Sequence, residues 1–63
     1  MTQEAKIQYL EYLKDTGWPF VIMTVDDRHA VGTVVEVLPE GVLYSNKGTR
    51  YYITYPRIKI IHS

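Results

Sequence analysis

The sequence contains no cysteine, so neither disulfides nor a thiolate-bound metal can hold its fold together. Its two histidines, His29 and His62, are too few for a metal site without carboxylates beside them. A chain of 63 residues forms at most one domain, residues 1–63, and a domain of this size is only marginally stable. We therefore expect no metal and no cofactor, and stabilisation by oligomerisation instead.

Neither charge nor hydrophobicity is concentrated in one long run. Seven basic and seven acidic residues cancel, which counts against avid nonspecific binding of nucleic acid but allows a local basic patch. No apolar run approaches the length of a membrane span, and the first residues lack the apolar region of a secretory signal. We expect a cytoplasmic protein without a membrane partner.

The first part of the chain has the pattern of a helix, from about residue 3 to 15. Thr2 is suited to cap its start, and Gly17 with Pro19 is a strong stop signal. Lys6 and Lys14 fall within the apolar stripe, so we expect their stems to lie along the surface with the ammonium groups in water. The stripe itself consists of Ile7, Leu10 and Leu13.

Residues 19–62 have the pattern of five short strands separated by turns. The expected strands are 20–25, 29–38, 42–45, 49–55 and 58–61, with turns at 26–28, 39–41 and 46–48. Gly32 lies inside the long second strand, where a missing Cβ permits a sharp bend. The sequence therefore predicts a mainly β fold, in which an N-terminal helix precedes a small, strongly bent, five-stranded antiparallel barrel.

The pattern lacks the converging polar groups that an enzyme needs. Asp26 and Asp27 are adjacent, so in a strand they would lie on opposite faces, and turn formation explains them better. Neither histidine has an evident base or nucleophile partner. We expect no enzymatic activity.

Several local features follow one another in the order of a known family. The helix has an aromatic-Leu-x-x-Leu pattern, an apolar-Pro pair precedes the first strand, and the later strands carry one glycine, one apolar triplet and an Ile-x-x-Ile spacing. These are residues 9–13, 18–19, Gly32, 42–44, and Ile58 with Ile61. In this order the chain resembles the Sm-like family, and its bacterial Hfq branch most closely. The positions of the family's uridine pocket do not match, since they hold Asp27, residues 38–40 and the pair 55–56.

The resemblance implies a homo-oligomeric ring of about five to seven copies, in which the fourth strand of one subunit pairs with the fifth of the next. Ring closure would cover an edge that is otherwise prone to aggregation. It implies that Glu40 faces the pore, where repeated carboxylates would repel phosphate. The residues expected at the subunit interface are Tyr51, Tyr52, Ile53, Ile58 and Ile60.

Tyrosines and cations alternate near the end of the chain, a combination that suits single-stranded RNA, because bases stack on rings and phosphates meet charges. Tyr55 and Arg57 are the foremost candidates, with Lys6, Lys47 and Arg50 as supporting cations. We therefore predict an Sm-like ring that binds RNA, or associates with it, through a non-standard surface. The alternative is a structural or protein-binding ring with no nucleic-acid role, whose tyrosines fill subunit interfaces.

Overall fold

The computed structural model describes all of residues 1–63. One helix precedes five antiparallel strands, and a short 3-10 helix separates the last two strands. The elements are α1 (Gln3–Thr16), β1 (Phe20–Thr24), β2 (His29–Val37), β3 (Gly41–Asn46), β4 (Thr49–Thr54), the 3-10 helix (Tyr55–Arg57) and β5 (Ile58–His62). The predicted order of a helix followed by five strands is confirmed. None of the helices has the length and apolar character that crossing a membrane requires.

Helix α1 has the caps that its sequence predicts. The Thr2 hydroxyl accepts a hydrogen bond from the Ala5 N–H at 3.1 Å, which satisfies one of the free donors of the first turn. Gly17 ends the helix in the left-handed region, at φ +71°, and its N–H donates to the Leu13 carbonyl at 2.9 Å. Leu10 and Leu13 are fully buried against the sheet, as their spacing predicts.

The sheet has the strand order β4-β3-β2-β1-β5. β4 and β5 are therefore its two outer strands and do not pair with each other, so the sheet of one chain is strongly curled but not a closed barrel. The 3-10 helix causes this arrangement: Pro56 cannot donate to a ladder, and the chain turns there from β3's side of the sheet to β1's side. β4 ends one residue earlier than predicted for the same reason.

Strand β2 bends, and its two halves pair with different neighbouring strands. Residues before the bend pair with β1, through Gly32 opposite Phe20, and residues after it pair with β3, from Thr33 opposite Ser45. Gly32 has φ +152°, and a Cβ placed there would lie 2.2 Å from the Ser45 carbonyl oxygen. A second irregularity follows between Val34 and Glu36, where the register with β3 shifts. The bend expected at Gly32 is present.

The core is a single cluster enclosed by the helix and the curled sheet. The Phe20 and Tyr44 rings meet edge to face inside it, with 5.5 Å between their centroids. The eleven buried apolar residues are Leu10, Leu13, Phe20, Ile22, Val34, Val42, Tyr44, Ile53, Tyr55, Ile58 and Ile61. A core this small leaves other apolar side chains on the strands exposed, as a chain of this length must.

Replacing Gly32 with alanine should destabilise the protein by more than about 2 kcal/mol, because the new Cβ would meet a backbone oxygen that cannot move freely. Gly48→Ala is the matched control: its φ is also positive, at +83°, but nothing lies within 4 Å of the added Cβ. That variant should lose only about 1–2 kcal/mol. Urea unfolding at fixed protein concentration, followed by fluorescence, measures both. Equal losses would contradict the close approach at Gly32.

Candidate nucleic-acid interface and open sheet edges

The two outer strands leave their free edges unpaired within the chain. Tyr51 and Ile60 on these strands are exposed, which suits the interface role predicted for them. Tyr52 was predicted for the same interface and is also exposed, but it lies on the opposite face of β4 from Tyr51. Ile53 and Ile58, predicted for the same interface, have side chains that are buried in the core of their own subunit. The side chains of these two isoleucines are therefore not available to a neighbouring subunit.

Tyr55 occupies the centre of the fold rather than its surface. Its side chain is fully buried, and its hydroxyl donates to the Leu38 carbonyl, while its N–H donates to the Glu40 carbonyl at 3.2 Å. Burial, and then the nearby Tyr52 and Glu11, raise the pKa of the hydroxyl above its ordinary 10.0, so it stays protonated and donates. The prediction that this ring stacks on RNA bases is wrong for this structure, because no face of the ring reaches solvent.

Lys6 is also directed inward, although a solvated ammonium group was expected. The residue is only 9% exposed, and its Nζ donates to the Tyr55 carbonyl at 2.9 Å. The same carbonyl accepts the Ile58 N–H that ends the 3-10 helix. The expectation of a solvated Lys6 is wrong because this carbonyl provides an acceptor at the buried end of the lysine stem. The sequence did carry one sign that Lys6 is buried, because the residue falls within the apolar stripe of the helix.

The β1–β2 hairpin tip is a compact polar cluster around Asp26. The buried Thr24 hydroxyl donates to its carboxylate, and the guanidinium groups of Arg28 and Arg57 lie 3.4 and 3.6 Å from carboxylate oxygens. The Thr24 hydrogen bond lowers the pKa of Asp26 most, and its own backbone N–H and the two arginines lower it further. Thr24 was not singled out from the sequence.

The cations of this region are therefore matched by carboxylates. Arg57, the foremost cation among the predicted RNA contacts, is exposed but shares Asp26 with Arg28. Lys59 similarly lies 3.8 Å from Asp27. Such partners reduce the positive potential that a phosphate would meet.

The β3–β4 hairpin carries the two predicted cations that remain free. Asn46 pairs with Thr49, so Lys47 and Gly48 form a two-residue turn, with φ of +53° and +83°. Lys47 and Arg50 are exposed, and neither has a carboxylate oxygen within 4.0 Å.

An exposed aromatic ring lies next to these cations. Strand alternation places Tyr52 on the same face of β4 as Arg50, and the Tyr52 ring lies over Gly41 with half of its surface exposed. Tyr51 lies on the other face, where its ring stacks on that of Tyr44 with 5.4 Å between the ring centroids. Lys47, Arg50 and Tyr52 are all exposed on the β3–β4 hairpin and are called here the hairpin surface. The alternation of tyrosines with these cations was evident from the sequence, but Tyr52 was predicted for the subunit interface.

Glu40 lies in the exposed turn between β2 and β3. Its carbonyl holds the Tyr55 N–H, so the turn has a fixed position next to the 3-10 helix. Its orientation towards a pore stays a prediction.

Replacing Lys6 with methionine, which keeps the apolar stem, should destabilise the protein by about 1–3 kcal/mol, because a buried charged hydrogen bond is lost. Lys14→Met is the matched control on the same helix: Lys14 pairs with Glu36 at 3.1 Å on the surface, and its loss should cost at most about 1 kcal/mol. Urea unfolding measures both variants. A larger loss for Lys14→Met would contradict the inward role of Lys6.

No family model matches this sequence, and no curated protein is significantly similar to it in sequence. Solved structures do match. One is the 1.55 Å crystal structure of the pleiotropic translational regulator Hfq, with a TM-score of 0.84 and 15% identity over 94% of this chain and 98% of that chain. Another is an Hfq protein from Anabaena sp., with a TM-score of 0.78 and 21% identity over 92% of this chain and 93% of that chain. At these identities the likeness concerns the fold alone, and the chain has the Sm-like fold in the form that Hfq has.

Proposed function

We propose that the chain assembles into a homo-oligomeric ring of about five to seven copies and binds single-stranded RNA on its hairpin surface. Support for the general role comes from the fold, which is shared with a pleiotropic translational regulator. Support for the site comes from one observation: Lys47 and Arg50 are the predicted cations that are both exposed and unpaired, and they adjoin the exposed Tyr52 ring.

The ring part of the proposal rests on the two outer strands. Each presents unpaired N–H and C=O groups along one edge, and such edges invite pairing with another chain. Pairing β4 of one copy with β5 of the next would satisfy both edges and would repeat around a closed ring. It would also cover the exposed Tyr51 and Ile60, for which the small core has no room.

The RNA part of the proposal rests on the chemistry of the hairpin surface. Lys47 and Arg50 can each neutralise a phosphate without breaking an existing ion pair. The Tyr52 ring offers a face on which a base can stack, and Arg50 lies two residues away on the same face of the strand. Arg57 would contribute only by leaving Asp26, so we assign it a supporting role.

The second candidate is a ring that binds protein and not nucleic acid. Its support is the charge balance: the net charge is zero, and Arg28, Arg57 and Lys59 are matched by Asp26 and Asp27. The RNA-binding experiment below distinguishes the two candidates. In neither candidate do we assign a catalytic role to any residue.

The molar mass in solution, measured by light scattering, should be about five to seven times the 7.3 kDa of one chain. Ile60→Glu should lower this mass, because it places a charge at the proposed interface without disturbing the core. Val25→Glu is the matched control, since Val25 is also an exposed aliphatic residue but lies outside both outer strands. A wild-type chain with the mass of one copy would exclude the ring.

Oligo-U and oligo-A should bind at low salt, and the Arg50→Gln variant should bind several-fold more weakly. The slope of log affinity against log salt should become less negative by about 0.7, the value for one lost phosphate contact on a single strand. Arg28→Gln, which removes an exposed arginine already paired with Asp26, should change little. Fluorescence anisotropy measures the affinities, and light scattering verifies that both variants keep the wild-type mass. Absence of binding at low salt would favour the second candidate.

A further inference from the structure

Two exposed aromatic rings lie together near the end of α1, one on the helix and one just after it. Tyr12 is 47% and Trp18 52% exposed, and their rings meet edge to face with 5.8 Å between centroids. Tyr9 stacks on the other side of Tyr12, with 6.3 Å between centroids and 10° between planes. Large aromatic rings that pack against one another and remain about half exposed are typical of surfaces that contact another molecule.

The exposed side of α1 next to these rings carries only negative charge. Its polar residues recur at helical spacing, so they share one face of the helix. None of the three carboxylates on this face forms an ion pair, whereas Asp26, Asp27 and Glu36 all do. The residues of the face are Glu4, Gln8, Glu11 and Asp15, and together with Tyr12 and Trp18 they are called here the helix surface.

No cation of the chain itself neutralises the helix surface. Lys6 is buried and donates to Tyr55, and Lys14 is held by Glu36. Unpaired carboxylates beside exposed rings are complementary to one kind of group in particular. A guanidinium can pair with a carboxylate and also stack on an aromatic ring, whereas a phosphate would be repelled.

We propose that the helix surface binds an arginine-containing, positively charged segment of a partner protein. One arginine would lie over the Trp18 or Tyr12 ring and pair with Asp15, which lies between them in sequence and one helical turn after Tyr12. This surface shares no residue with the hairpin surface, so the proposal does not depend on whether the chain binds RNA.

Trp18 is the only tryptophan of the chain, so its fluorescence reports directly on this surface. The full chain is titrated at low ionic strength with a short peptide of Arg-Gly-Ser repeats, and with Lys-Gly-Ser and Glu-Gly-Ser repeats of the same length. The arginine peptide should change Trp18 emission saturably and bind about two- to fivefold more tightly than the lysine peptide. The glutamate peptide should have no effect.

Asp15→Asn should weaken binding of the arginine peptide about two- to fivefold. The substitution removes a negative charge from the C-terminal part of α1, where such a charge opposes the helix dipole, so a loss of helix cannot explain weaker binding. Glu40→Gln is the matched control: it removes one exposed negative charge from the turn between β2 and β3 and should leave binding unchanged. Tyr12→Ala should weaken binding through loss of its ring.

Five results would overturn the proposal. Unchanged Trp18 emission would exclude contact at this surface, and equal binding of the lysine and arginine peptides would exclude a role for the rings. An equal effect of Asp15→Asn and Glu40→Gln would mean that only net charge matters. Finally, if the mass of the peptide-free protein falls on Asp15→Asn, or if oligo-U changes Trp18 emission and displaces the arginine peptide, the occupant is a second copy or RNA.

Discussion

The buried turn at Tyr55 is hydrogen-bonded to two other parts of the chain, the turn between β2 and β3 and helix α1. Its hydroxyl bonds to Leu38, its N–H to Glu40, and its carbonyl to Lys6 of the helix. The ring is excluded from water, so solvent cannot readily replace these bonds if they break. Because the turn connects β4 to β5, the same bonds set where the two outer strands lie. The edges on which ring assembly would depend are thus positioned by a residue that does not itself reach the surface.

Charge in this chain is separated by place although it cancels in total. At the β1–β2 tip, arginines and aspartates neutralise one another. At the β3–β4 hairpin two cations are free, and along the exposed side of α1 three carboxylates are free. A neutral chain therefore presents one surface suited to phosphates and another suited to cations. Net charge alone would indicate neither, because it sums over charged groups that do not pair with one another.

The order of elements and their ends were predictable from short stretches of sequence. Thr2 and Gly17 define the helix because capping depends on one side chain and one backbone conformation. Gly32 marks the bend of β2 because only a residue without a Cβ fits against the Ser45 carbonyl. The open sheet was expected only from the family resemblance and not from local sequence patterns. Whether the last strand closes on β4 or leaves both edges free depends on the path through the 3-10 helix, which involves residues far apart in sequence.

The candidate site also has features that local sequence predicts and features that depend on contacts between distant residues. The sequence by itself determined which residues could carry charge or stack, and Lys47 and Arg50 remain available because they occupy an exposed hairpin whose geometry is local. Only the tertiary structure decided that Lys6 and Tyr55, 49 positions apart, hold each other inside the fold, and that Arg57 is matched by Asp26. The physical reason is that an ammonium group or a phenol takes whichever acceptor the fold brings within reach, and periodicity along the chain specifies only the side of an element on which a residue lies.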